Sequence, residues 1–193
     1  MKSAVSILKT GGVIVYPTDT AYAIGCDATN EAAVKKIFEI KGRDKGKTLS
    51  LIAGSRAMAE EWLEFSSKAA ALADRFWPGP LGLVLPIKKE GLAQAAMEGG
   101  YAGMRVPDNA IAARLSREAG VPLVATSANT SGKGPCYSPD DVRASLGANA
   151  SKVDAFVDGG ILENRAVSTM VKVWDNQITV LREGAVDIKN ENQ

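Results

Sequence analysis

The sequence predicts an α/β fold, a single domain over residues 1–193 built on a twisted, mixed β-sheet surrounded by helices. Three observations predict it. Short apolar runs bounded by glycine or proline alternate with segments whose apolar residues recur at helical spacing. The spacing between these segments is too irregular for repeated βαβ units, which favours a mixed sheet over an all-parallel one. Finally, 46% hydrophobic and 23% charged residues in a 193-residue chain are enough for one substantial core, and no Pro/Ser-rich stretch or charge block divides it.

Taken in order, Ser3 to Lys9 reads as a short helix stopped by Gly11-Gly12, and Val13 to Tyr16 as a buried strand ending at Pro17. Asn30 is placed to cap a helix with Ala33, Val34, Ile37, Phe38 and Lys41 at helical spacing, which Gly42 ends. Leu49 to Ala53 reads as a strand. Ser55 to Trp77 reads as mostly helical with a break near Phe65-Ser66-Ser67, and Pro78-Gly79-Pro80 forbids continuation. Strands follow at Leu81 to Ile87 and Gly103 to Val106, then an amphipathic helix from Asn109 to Ala119 and a strand from Leu123 to Thr126. The last third carries a helix at Pro139 to Leu146 and strands near Ala155 to Val157, Thr169 to Val173 and Ile178 to Leu181.

The chain contains no histidine. That excludes a Ser-His-Asp triad, a Cys-His dyad and a histidine-ligated zinc. Twenty-three Lys and Arg against 22 Asp and Glu give no global field that would advertise nucleic acid or a membrane. Cys26 and Cys136 are too few for a disulfide scaffold and show no CxxC spacing, so reduced thiols are expected. With no signal-like N-terminus and no apolar run of about 18 residues, the expected location is the cytoplasm, with no membrane partner.

Several polar clusters stand at the ends of these elements. Gly42 to Thr48 imitates the phosphate loop GxxxxGK[ST], but it is one residue short and lies between a helix and a strand rather than a strand and a helix. It still packs Lys41, Arg43, Lys45 and Lys47 against Asp44 alone, an anion site by composition. Thr126-Ser127-Ala128-Asn129 leaves a strand where α/β folds bind ligands, and Pro17-Thr18-Asp19-Thr20 does likewise. Arg105 lies in an apolar stretch, so it needs an anion, either a structural carboxylate or a substrate carboxylate held bidentately. Ser168-Thr169 and Leu181-Arg182-Glu183-Gly184 complete the strand-end polar residues. Trp62, Trp77 and Trp174 do not interleave with basic residues and read as packing.

In order and spacing, Tyr16-Pro17-Thr18-Asp19-Thr20-Ala21-Tyr22, Lys41-Gly42-Arg43, Trp77-Pro78-Gly79-Pro80, Arg105-Val106-Pro107, Ser127 to Gly132, Ser168-Thr169 and Leu181 to Gly184 resemble the YrdC/TsaC family over about Leu8 to Val186. These are threonylcarbamoyl-AMP synthases acting in tRNA modification. The resemblance is to the short form, a single YrdC-like domain with a concave basic groove. It implies a reaction in which L-threonine, bicarbonate and ATP give threonylcarbamoyl-adenylate and pyrophosphate. A downstream transferase complex then uses the product on an adenosine beside the tRNA anticodon, and a tRNA contact by this chain is left open.

By resemblance, Lys41, Arg43, Ser127, Asn129 and Arg182 bind ATP, with Lys47 assisting and Lys41 and Arg43 in the catalytic role. Thr20, Arg105 and Ser168 are carried over to threonine. The two polar clusters are then expected to form opposite walls of one nucleotide site. Mg²⁺ is expected to accompany the nucleotide, with no protein metal site. Departures from the family pattern fall at Ala23, Asp44, Thr48, Gly82 and Lys172. Two alternatives are an RNA-binding module without catalysis and a carbamoyl transferase using carbamoyl phosphate.

Overall fold

The computed structural model describes residues 1–43, 48–175 and 177–188. After the first, its α-helices begin where short polar side chains serve the free amides of the first turn. Helix α1 spans Lys2–Lys9. Asn30 caps α2 (Glu31–Lys41) by accepting from the Ala33 amide, and the left-handed Gly42 closes it. Ser55 caps α3 (Arg56–Trp62) and Ser66 caps α4 (Ser67–Phe76), which is why the helical stretch of 55–77 divides in two. Asn109 accepts from both Ile111 and Ala112 to open α5 (Ala110–Ala119), and Ser138 with Pro139 opens α6 (Pro139–Leu146).

Among the described residues ten strands form two mixed sheets rather than one. The four-stranded sheet runs β7-β2-β1-β8, where β1 is Ile14–Pro17, β2 Tyr22–Gly25, β7 Thr126–Ser127 and β8 Ala155–Phe156. The six-stranded sheet runs β10-β9-β4-β5-β3-β6. Its members are β3 (Leu51–Ile52), β4 (Leu81–Pro86), β5 (Tyr101–Arg105), β6 (Leu123–Val124), β9 (Thr169–Trp174) and β10 (Gln177–Arg182). Pairing alternates through this sheet: β10 is antiparallel to β9, β9 parallel to β4, β4 antiparallel to β5, β5 parallel to β3 and β3 antiparallel to β6.

Strand β1 explains how two cores coexist. Its alternating residues leave opposite faces. Val13, before the strand, and Val15 join the larger core with Ile37 and Phe38 of α2, while Ile14 and Tyr16 join a smaller one with Val5 and Leu8 of α1 and Leu115 of α5. A strand buried on both faces reads as a continuous apolar run, and Val13 to Tyr16 is one.

The segment Leu123 to Thr126, read from sequence as one strand, is instead a switch between sheets. The Val124 amide bonds to the Cys26 carbonyl at 2.9 Å and the Ala125 amide to the Ser50 carbonyl at 2.9 Å, so the chain leaves β6 and enters β7 across Ala125. The Tyr16 hydroxyl donates to the Val124 carbonyl at 2.8 Å, and burial pushes its phenol pKa far up. Gly25 makes the junction possible. A Cβ at that position would lie 1.8 Å from the Val124 oxygen. Among the described residues no helix is long and apolar enough to cross a membrane.

Candidate active site

The two sheets meet so that the β1–β2 turn, the end of β5, the start of β7 and the β9–β10 hairpin surround one cavity of about 270 Å³. The turn is organised by Thr18. Its hydroxyl donates to the Ala21 carbonyl at 2.7 Å and accepts from the amides of Thr20 and Ala21, the local pattern that Ser and Thr use to fix a turn. That geometry presents Thr20 to the cavity.

Opposite the turn stands Arg105, the last residue of β5. Its Nη1 donates to Asp19 Oδ1 at 2.5 Å, and Nη2 makes a longer contact of 3.5 Å to Thr20 Oγ1. The side chains of this ion pair are 9% and 4% exposed. Of the two anions that sequence allows for Arg105, the structural carboxylate is therefore present, while the guanidinium still lines the cavity. Asp19 Oδ2 is buried without a hydrogen-bond partner, so Arg105 is the carboxylate's main compensation.

Arg182, at the end of β10, folds back on the residue preceding β9. Its Nε donates to the Ser168 carbonyl at 3.0 Å and its Nη2 to Ser168 Oγ at 2.8 Å. Arg43, just beyond α2, donates to Thr126 Oγ1 at 3.3 Å and to the Thr48 carbonyl at 3.2 Å, and its Nε has no partner. Neither guanidinium forms an ion pair among the described residues. Burial lowers the pKa of both, and Arg105 adds repulsion at Arg182. Arg165 also lines the cavity, paired at 2.7 Å with Glu163 outside it.

Of the sequence-predicted residues, Thr20, Arg43, Arg105, Ser127, Ser168 and Arg182 thus line one space. Lys47 lies outside the described residues. Lys41 and Asn129 stand behind the wall rather than in it, 2% and 4% exposed. The Lys41 ammonium donates to the carbonyls of Ser127 and Asn129 and to Asn129 Oδ1. The two polar clusters therefore meet and build one wall instead of facing each other. Burial first, and the Arg43 guanidinium second, pull the Lys41 pKa down to about 8.

The sequence reading placed Asp19 in a polar strand-end cluster without giving it the role of Arg105's partner, and it did not single out Arg165. Asp19 pairs with a residue 86 positions away, and Arg165 sits in a segment without periodicity. An adjoining cleft of about 530 Å³ shares Ser50, Met170 and Arg182 with the cavity and adds Tyr101 and Lys172. Of the departures from the family pattern, Ala23, Thr48 and Gly82 line the cavity, and Thr48 and Lys172 the cleft. Met170 occupies the room left by Gly82, where a Cβ would come within 2.2 Å of its sulfur. Lys172 lies 3.8 Å over the Tyr101 ring, a cation–π contact.

Comparison with known proteins agrees with this architecture. The Sua5/YciO/YrdC family model, described as telomere recombination, matches residues 6–184. The threonylcarbamoyl-AMP synthase of Thiobacillus denitrificans is 35% identical over 172 residues, 89% of each chain. That of Bacillus subtilis is 35% identical over 185 residues, 95% of this chain and 53% of its own. The crystal structure of P. abyssi Sua5 complexed with L-threonine superposes with a TM-score of 0.89 at 32% identity, covering 98% of this chain and 55% of that one. The chain spans about half the length of these last two relatives. Across nearly its whole described length, in sequence and in three dimensions, the chain belongs to the Sua5/YciO/YrdC family.

Proposed function

We propose that this chain is a threonylcarbamoyl-AMP synthase, converting L-threonine, bicarbonate and ATP to threonylcarbamoyl-adenylate and pyrophosphate. The observation that carries the reading is a cavity in which Arg43 and Arg182 have no carboxylate partner among the described residues, beside an arginine already oriented by Asp19. Two uncompensated guanidiniums suit a polyphosphate, and a third, pre-aimed, suits an amino-acid carboxylate. The relatives named for this activity support the same assignment.

In the proposed mechanism Arg105, with Thr20 and Ser168, holds the threonine carboxylate. The threonine amine adds to the carbon of bicarbonate, water leaves, and the resulting N-carboxylate attacks the α-phosphorus of ATP. The bond from that phosphorus to the bridging oxygen breaks and pyrophosphate departs. Arg43 and Arg182 neutralise charge developing on the phosphates, and the protein's contribution is alignment and electrostatics. No protein nucleophile is needed, consistent with a chain that has no histidine.

Among the described residues no three His, Cys, Asp or Glu side chains stand together, so Mg²⁺ is proposed to enter with the nucleotide, whose own oxygens ligate it. It would offset charge on the departing pyrophosphate. The acyl-adenylate is a reactive mixed anhydride, so a transferase complex acting on tRNA in the same cytoplasmic space is the proposed consumer.

Pyrophosphate release tests the assignment. Release that requires both threonine and bicarbonate is expected, and release indifferent to either would refute it. Turnover with carbamoyl phosphate in their place would point to a carbamoyl transferase, and salt-dependent tRNA binding without turnover to an RNA-binding module.

A further inference from the structure

Lys41 ends helix α2 with its ammonium pointing inward, away from the cavity. A protonated lysine has three donors and no acceptor. Here the three meet the Ser127 carbonyl, the Asn129 carbonyl at 2.8 Å and Asn129 Oδ1 at 3.3 Å. The backbone of Lys41 contributes as well, its carbonyl accepting from the Ser131 amide at 2.9 Å. The far side of the same loop is tied to α6, where Thr130 Oγ1 donates to the Ser145 carbonyl at 2.5 Å. Three oxygens converging on one buried cation would repel one another without it, although the Ser127 carbonyl would keep the Asn129 amide at 2.9 Å. The loop they belong to begins at Ser127 in the cavity wall, and Arg43, two residues past Lys41, reaches Thr126 at its root.

We propose that Lys41 is a positioning residue whose buried ammonium gathers three oxygens of the loop, so that it fixes the wall carrying Ser127 and Arg43 without touching substrate. The inference rests on the proposed function only for what the wall binds. The other titratable groups felt at this ammonium are Arg43, which lowers its proton affinity, and Cys136, which raises it; the three acceptors favour the charged form.

Two measurements on substrate-free protein test it. In trace acylation of the wild-type chain with an amine-reactive reagent, Lys41 should react at least about tenfold more slowly than the exposed Lys35 and Lys152, and ATP should add no protection. Equal reactivity in free protein, abolished by ATP, would overturn the proposal because it describes a lysine that meets phosphate directly. In Lys41→Met, amide exchange over residues 127–134 should accelerate at least about tenfold while β4 and β5 keep their protection. Unchanged exchange in that loop would equally overturn it. If β4 and β5 lose protection, the variant has unfolded and the wild-type acylation alone decides. Neither readout depends on turnover, so a negative pyrophosphate assay would remove the assigned reaction and leave the positioning role standing.

Discussion

Removing the charge from Asp19 is the sharpest perturbation of the proposed threonine half of the site. In Asp19→Asn, Oδ1 can still accept from Arg105, but the buried guanidinium loses its compensating charge and the new amide donor replaces an oxygen that has no partner. Breaking one side of a buried ion pair costs about 3–5 kcal/mol, and the retained hydrogen bond places this variant near the lower end, about 3. For a domain of this size about 2–4 °C accompany each kcal/mol, so the melting temperature should fall by about 6–12 °C. Arg105 would also lose its orientation, and a loss of about 1.4 kcal/mol raises the threonine KM about tenfold. The assay pairs thermal unfolding with pyrophosphate release at varied threonine and varied ATP. The ATP KM should stay within about twofold, because Arg43 and Arg182 are untouched. A fall in melting temperature with an unchanged threonine KM would refute the reasoning, since Arg105 would then be only a partner for Asp19.

Arg43→Ala and Arg182→Ala should each raise the ATP KM about 10- to 100-fold, the equivalent of a charge-assisted hydrogen bond worth about 1.5–3 kcal/mol, with the threonine KM little changed; an unaltered ATP KM in both would remove them from the nucleotide site. For Lys41 the folded pKa of about 8 lies below the ordinary 10.5, so between those values the unfolded chain holds a proton that the folded chain has shed. By linkage, this group's contribution to stability rises with pH across that window. The wall, however, loses its cation there. Nucleotide binding measured without threonine should therefore weaken above about pH 8 in the wild type, and that inflection should vanish in Lys41→Met; an inflection that survives the substitution would belong to another group. Gly25→Ala places a Cβ 1.8 Å from the Val124 carbonyl, where both partners are backbone. It should lower stability by about 3 kcal/mol or more, read as a melting-temperature loss of at least about 6 °C; a loss below 2 °C would mean the sheets separate more easily than their hydrogen bonds imply.

The helices were legible because their signals are local. Asn30, Ser55, Ser66, Asn109 and Ser138 each announce a first turn and each caps one. Strands β2 and β7 were not legible. Tyr22-Ala-Ile-Gly carries two small residues, and Thr126-Ser127 is polar and partly exposed, so neither shows the alternation of a half-buried strand. Strand β7 is decided by pairing with β2, Ala23 opposite Ser127 and Ile24 opposite Thr126, across about a hundred residues of chain, while β2 is held along its length by β1. The division into two sheets is hidden for the same reason, because it turns on the hydrogen bonds of Val124 and Ala125 to distant carbonyls.

In the site, residue type predicted membership better than orientation. Arg43, Arg105 and Arg182 do face the cavity. Lys41, in the same tripeptide as Arg43, turns inward, because the helical stub of α2 ends between them and Gly42 takes the left-handed conformation that reverses the chain's direction.

That reversal matters for how the site controls protons. No carboxylate, histidine, cysteine or lysine lines the arginine-walled cavity among the described residues; its titratable wall groups are arginines and Tyr22, whose phenol is pushed up by burial. Such a wall cannot exchange protons near neutral pH, because guanidiniums stay charged and the phenol stays neutral. It can only bias which forms of the substrates enter, and a field from several guanidiniums favours anions: a carboxylate, a bicarbonate, a triphosphate. The proton released when the threonine amine adds to bicarbonate would then join the bicarbonate hydroxyl and leave as the departing water. Among the described residues the amine pulled toward neutrality is that of Lys41, kept behind the wall, where in the proposed role its protonation sets the shape of the nucleotide side without taking part in the chemistry. A catalytic step that varied with pH in Lys41→Met as it does in the wild type would fit this division, with the substrates themselves supplying the titrating groups.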